Sequence, residues 1–100
     1  MMKNSTLKKR AAILKSLGHP VRLSIICQLY DQKQNVSDLC QCLDVSQPVV
    51  SQHLAVLRSL GLIEGTRKGT HVIYKISDNF TKNIVRLVLN KKGHSSIQID

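Results

Sequence analysis

One hundred residues suffice for one small domain and exclude a two-domain enzyme or a long repeat array. Hydrophobic residues make up 42% of the chain and charged residues 21%, enough apolar material for a core, while aromatics at 3% leave neither a sugar-stacking platform nor a base-stacking sheet. Fifteen Lys and Arg oppose six Asp and Glu, and the resulting net charge of +9 points to a polyanionic partner.

Leu7, Ala11, Leu14 and Leu17 recur at helical spacing with Lys8, Lys9 and Lys15 on other faces, which predicts a first helix over 7–17. The basic start Met1-Met2-Lys3 and the short run Ala11-Ala12-Ile13-Leu14 make neither a signal-peptide core nor a membrane span. The expectation is a cytoplasmic protein with no membrane partner. Gly18-His19-Pro20 then interrupts, and Pro20 suits the first turn of a second helix, where its missing N–H is one of the unbonded donors. Leu23, Ile26, Cys27 and Tyr30 form the apolar stripe of that helix, and Asp31-Gln32-Lys33-Gln34-Asn35 reads as a surface loop. Ser37 is placed to cap a short third helix with Leu39, Cys40 and Leu43 facing inward, after which Asp44-Val45 turns the chain. Ser46 stands where a cap belongs, and Val50, Leu54 and Leu57 keep a helical period until Gly61 closes a fourth helix. Two helices joined by a short turn, the second opening on small polar residues, form the helix-turn-helix pattern.

Beyond Leu62-Ile63 the period changes. Val72, Tyr74 and Ile76 alternate with His71, Ile73 and Lys75, the period of a strand, and Ile63 to Arg67 would pair with it through a turn at Lys68-Gly69. A basic hairpin directly after a recognition helix is a wing. Asp78 or Ser77 caps a last helix with Phe80, Ile84, Leu87 and Val88 on one side. The expected fold is mostly α with a small β-hairpin: one winged helix-turn-helix domain over 1–100, its ordered core spanning 7–90 and a polar tail covering 91–100.

A helix lying in the major groove presents its first turns to base edges, so the candidate DNA-reading residues are Ser46, Gln47, Val49, Ser51, Gln52 and His53, the last read as either a DNA or a helix-packing residue. Gln can bond both edge groups of adenine, Ser can donate or accept, and Val can touch a thymine methyl. Arg58 on the same helix, Arg67 and Lys68 at the hairpin tip and His71 beside it are candidates for the phosphate backbone, joined by Lys75 and the cluster Lys3, Lys8, Lys9 and Arg10. Nothing in this pattern needs a catalytic residue or a cofactor.

The segments Leu17-Gly18-His19-Pro20-Val21-Arg22-Leu23, Val36-Ser37-Asp38-Leu39-Cys40, Ser46 through Arg58 and Gly61-Leu62-Ile63, with Arg67-Lys68-Gly69 leading to Tyr74, together resemble the ArsR/SmtB winged-helix repressors over residues 7–90. The resemblance implies a homodimer joined through the first and last helices, which binds an inverted-repeat operator in double-stranded DNA and is released by an inducer. A two-fold dimer would present two recognition helices to such a palindrome.

Three cysteines, an odd number, describe no disulfide framework, so Cys27, Cys40 and Cys42 are read as thiols and as candidate sensors. The family's thiolate site at the third helix is a Cys-x-Cys just upstream of the Asp38-Leu39 pair, where this chain has Asn35 and Ser37; its last-helix site uses Asp and His, which are missing from Phe80 to Lys92. No metal site is therefore expected. Cys40 and Cys42 form a Cys-x-Cys, but residues two apart on a helix diverge by about 200°, which keeps their sulfurs from one ion. Ile25-Ile26-Cys27-Gln28-Leu29 is similar to the second-helix stretch of redox- and persulfide-responsive members, whose partner cysteine in the last helix has no counterpart here. The expected inducer is thiol-reactive. The alternatives are a metal- or metalloid-responsive repressor using Cys40 and Cys42, a DNA binder of low sequence preference, a protein-interaction adapter, and a small Cys/His enzyme, for which no oxyanion donors are evident.

Overall fold

The computed structural model describes residues 5–90 as five helices and one hairpin: α1 (Ser5–Leu17), α2 (Pro20–Asp31), α3 (Val36–Leu43), α4 (Gln47–Ser59), β1 (Ile63–Lys68), β2 (His71–Ile76) and α5 (Asn79–Leu89). The tail expected over 91–100, like Lys3, lies outside the described residues. The starts of α2 and α5 carry local signals. His19 accepts a hydrogen bond from the Val21 N–H at 3.1 Å, and Pro20 follows it in the first turn of α2. Asp78 caps α5 by accepting from the Thr81 N–H at 2.8 Å and from the Thr81 hydroxyl at 2.7 Å.

The start of α3 departs from expectation. Ser37 lies inside the helix, and the cap is Asn35, whose side chain accepts from the Asp38 N–H at 2.8 Å while the Asp38 carboxylate accepts from the Asn35 N–H at 3.3 Å. This reciprocal capping box satisfies two donors where Ser37 would satisfy one. The preceding loop is also not all surface. Gln34 is 4% exposed and exchanges backbone hydrogen bonds with Tyr74, its N–H at 3.2 Å from the Tyr74 carbonyl and its carbonyl at 2.8 Å from the Tyr74 N–H. A single residue thus adds a third rung beside β2, which gives these backbone groups partners inside the fold.

The core is aliphatic, with Tyr74 its one buried aromatic among the described residues. The buried face of α2 runs through Ile25, Ile26 and Leu29, whereas Leu23, Cys27 and Tyr30 of the expected stripe are only half-buried along its flanks. The difference has a packing cause, because α2 touches α1, α3, α4, α5 and β2 and is enclosed on several sides. Val50, Leu54 and Leu57 of α4 meet it, as the spacing predicts. In α5 the buried residues are Thr81 and Val85; Phe80 and Ile84 of the expected apolar side are half-buried, and Leu87 and Val88 of that same side face out at 78% and 51% exposure. Leu7 and Leu14 of α1 are exposed too. The Arg10 guanidinium sits 4.6 Å from the centre of the Phe80 ring and ties α1 to α5 by a cation–π contact.

The hairpin pairs Ile63 with Ile76 at its base and Lys68 with His71 at its tip. The turn is Gly69-Thr70, one position later than expected, with Gly69 at φ +65°. Opposite Tyr74 stands Gly65, where an added Cβ would come within 2.7 Å of the Val72 side chain and 2.9 Å of the Tyr74 ring. Gly65→Ala should therefore cost about 1–3 kcal/mol through overpacking, read as a lower denaturant midpoint. An unchanged midpoint would show that the two side chains move aside freely.

Candidate nucleic-acid interface

Residues 44–46 join α3 to α4, and Asp44 makes the turn in a left-handed conformation at φ 56° while the Val45 N–H donates to the Cys40 carbonyl at 3.3 Å. Ser46 occupies the cap position of α4, yet its side chain makes no cap hydrogen bond, and Pro48 follows in the first turn. Several N–H groups at the exposed start of α4 have no helical acceptor, which favours negative charge there.

The apolar stripe Val50-Leu54-Leu57 fixes which side of α4 faces outward. Gln47, Ser51 and Gln52 are exposed. Val49 and His53 lie on the flank of the stripe and are half-buried, so the structure divides the expected reading set into an open face and a flank. Arg58 is exposed in the last turn, about 16 Å along the helix from Gln47.

Arg67, Lys68 and His71 are exposed at the hairpin tip. Pairing places Lys68 and His71 on one face and Arg67 with Val72 on the other, because directly opposed residues share a face. Lys75 is drawn into a cross-strand ion pair with Glu64 at 3.4 Å, so the uncompensated positive charge lies at the tip rather than the base. A cleft of about 590 Å³ separates helix and hairpin, lined on one side by Ser46 and Gln47 and on the other by Thr70, His71 and Val72. The start of α4 and the wing tip thus border one space.

The sequence spacing gives no role to Arg22, although it holds the flank of α4. Its Nε donates to the Ser16 carbonyl at 2.9 Å, and its Nη1 lies 3.2 Å from the His53 Nδ1. Arginine carries no acceptor, so the imidazole nitrogen accepts. The His19 ring stands 4.5 Å from that of His53. Burial first, then the charges of His19 and Arg22, lower the His53 pKa below its usual value and keep the ring neutral near pH 7. No periodicity marks Arg22, because its partners lie six and thirty-one residues away.

The three cysteines are free thiols in different settings. Cys42 is exposed, Cys40 lines the cleft, and Cys27 is half-buried. Burial and then the Asp31 carboxylate push the Cys27 thiol above its usual pKa, which disfavours the reactive thiolate. Among the described residues no three His, Cys, Asp or Glu side chains are grouped to hold a metal ion, and no helix is long and apolar enough to cross a membrane.

Comparison with known proteins places this arrangement. The sequence profile described as "Bacterial regulatory protein, arsR family" matches residues 19–65. The chain is 36% identical over 85 residues to the HTH-type transcriptional repressor SmtB of Mycobacterium tuberculosis, an overlap of 85% of this chain and 63% of that protein's length. To the transcriptional activator HlyU of Vibrio cholerae it is 36% identical over 88 residues, covering 88% of this chain and 80% of the relative. The structure of reduced HlyU from Vibrio cholerae superimposes with a TM-score of 0.83 at 31% identity, covering 90% of this chain and 95% of the other. The transcriptional repressor PagR of Bacillus anthracis does so with a TM-score of 0.78 at 33% identity, covering 84% and 97%. With this similarity running through α2 to β1 and on into α5, the chain belongs to the arsR family of bacterial regulatory proteins and has their winged helix-turn-helix fold.

Proposed function

We propose that this protein is a transcriptional repressor that binds an inverted-repeat operator as a homodimer and leaves it when an inducer acts. The observation that carries this reading is the shared cleft, which sets the open polar face at the start of α4 beside the cationic tip of the hairpin. Gln47, Ser51 and Gln52, with Val49 and His53 on their flank and Ser46 at the helix start, read base edges in the major groove. Arg67, Lys68 and His71 of the wing and Arg58 at the far end of α4 neutralise phosphates, in keeping with the net charge of +9. The two roles separate by experiment. Against a duplex enriched by the wild-type protein from a randomised pool, Gln52→Ala should lose about 1–3 kcal/mol and alter base preference, whereas Lys68→Ala should weaken every duplex alike and reduce the salt slope by about one. Equal behaviour of the two variants would refute the groove assignment, and equal wild-type affinity for enriched and random duplexes would leave a DNA binder of low sequence preference.

The dimer reading rests on Leu7, Leu14, Leu87 and Val88, large apolar side chains that α1 and α5 leave exposed in the single chain. Two such helices brought against their copies around a dyad would bury them and space two recognition helices along the duplex. Leu87→Glu should leave the subunit folded, since that side chain is already 78% exposed, while sedimentation shows monomers and operator binding falls. A dimer that persists in this variant would move the interface elsewhere.

The inducer in this proposal is thiol-reactive, an oxidant or a reactive sulfur species, acting through Cys27 with Cys40, Cys42, a small thiol or another subunit as partner. Its raised pKa makes Cys27 a slow nucleophile, so the reaction is expected to quicken as pH rises. Diamide or polysulfide should weaken operator binding, and Cys27→Ser should abolish the response; a full response in that variant removes Cys27 from the mechanism.

A further inference from the structure

We propose that Arg22 is a positioning residue for DNA recognition, which sets the rotation of α4 through His53 and thereby the aim of Gln47, Ser51 and Gln52. The inference rests on the DNA-binding reading above. Burial of Val50, Leu54 and Leu57 holds α4 against the core, but apolar burial is not directional and resists a small turn about the helix axis weakly. With side-chain tips about 5–6 Å from that axis, a 20° turn moves them by about 2 Å, enough to break a base-edge hydrogen bond. A directional bond on the flank removes this freedom. His53 occupies that flank, next in sequence to Gln52 and one turn beyond Val49.

The guanidinium forks between two anchors. Nε donates to the Ser16 carbonyl in the last turn of α1, which also accepts from the His19 N–H at 3.3 Å, and Nη1 donates to His53 on α4. The Arg22 backbone itself belongs to α2, the helix that the core encloses. The His53 ring also rests against His19, whose own Nδ1 is engaged by the Val21 N–H as the cap of α2. Two side chains from the α1–α2 corner therefore meet the recognition helix at His53. Because α1 also carries Leu7 and Leu14, the same fork joins the end of a proposed dimer helix to the helix that reads DNA.

The test compares binding of each variant to a duplex enriched by the wild-type protein and to a random duplex across a salt series. The ratio of the two affinities is insensitive to the folded fraction, since unfolding lowers both together. Arg22→Lys keeps the charge but cannot span both anchors, and His53→Ala removes the acceptor. Each should lower the ratio about ten-fold, the worth of one good base contact, with an unchanged salt slope. The double variant should lose no more than either single one, as expected for residues acting through one contact. His53→Gln, whose amide oxygen accepts from Arg22, should restore most of the ratio. Wild-type behaviour of Arg22→Lys would show that its charge alone matters, on a phosphate. A new preferred base after reselection with His53→Ala would make His53 a direct reader, and equal losses on both duplexes would reduce the pair to general support of the fold; each of these outcomes overturns the positioning role alone. A wild-type protein that enriches no duplex overturns the DNA-binding reading with it.

Discussion

The burial of α2 is the constraint on which the rest of the structure depends. Ile25 and Ile26 are fully enclosed and Leu29 nearly so, and each such side chain contributes about 1.5–3 kcal/mol when removed from water. Every other element except β1 uses this helix as its floor: α4 lays Val50, Leu54 and Leu57 on it, β2 adds Tyr74 and Ile76, and α5 closes the far side with Val85. With so few aromatics the core relies on branched aliphatic side chains, which pack densely but leave little area to spare. A domain of this size buries a modest share of its surface, and the exposed leucines of α1 and α5 are apolar area that the single chain leaves uncovered.

From that floor the charged surface acquires its geometry. The αL turn at Asp44 and the missing side-chain cap at Ser46 leave the start of α4 open, and the hairpin reaches alongside it because Ile63 and Ile76 anchor its base in the core. Gly65 lets the Tyr74 ring approach β1 closely, and the Gln34 rung braces β2 from the other edge. Glu64 neutralises Lys75 low on the hairpin, so the positive charge that remains is concentrated where helix and wing border their common cleft. Packing and electrostatics thus act on one surface: the apolar faces set where the elements lie, and the leftover cations set which partner approaches.

The cysteines show the limit of a motif taken without its surroundings. The stretch around Cys27 resembles a redox-responsive one, but burial and Asp31 hold that thiol in its neutral form. The two cysteines of α3 separate as their spacing requires, one toward the cleft and the other into solvent. Reactivity depends on desolvation and neighbouring charge, and neither is a property of the local sequence.

Local rules alone determined much of this protein. Helical and strand periods located the five helices and β2, the turn glycine placed β1 opposite it, Pro20 and the Ser77-Asp78 pair marked two helix starts, and the polar opening of α4 followed by a basic hairpin announced the helix-turn-helix and its wing. These features depend on residues within a turn or two of each other, where spacing carries the physics. Tertiary structure decided what depends on distant partners. It turned Leu87 and Val88 outward, buried Gln34 against Tyr74 and seated the Asn35 cap in place of Ser37. It also split the flank of α4 from its open face by setting His53 on Arg22, thirty-one residues away. Amphipathic spacing shows that a helix has an apolar side, but which residues that side meets is settled only when the whole chain closes around α2.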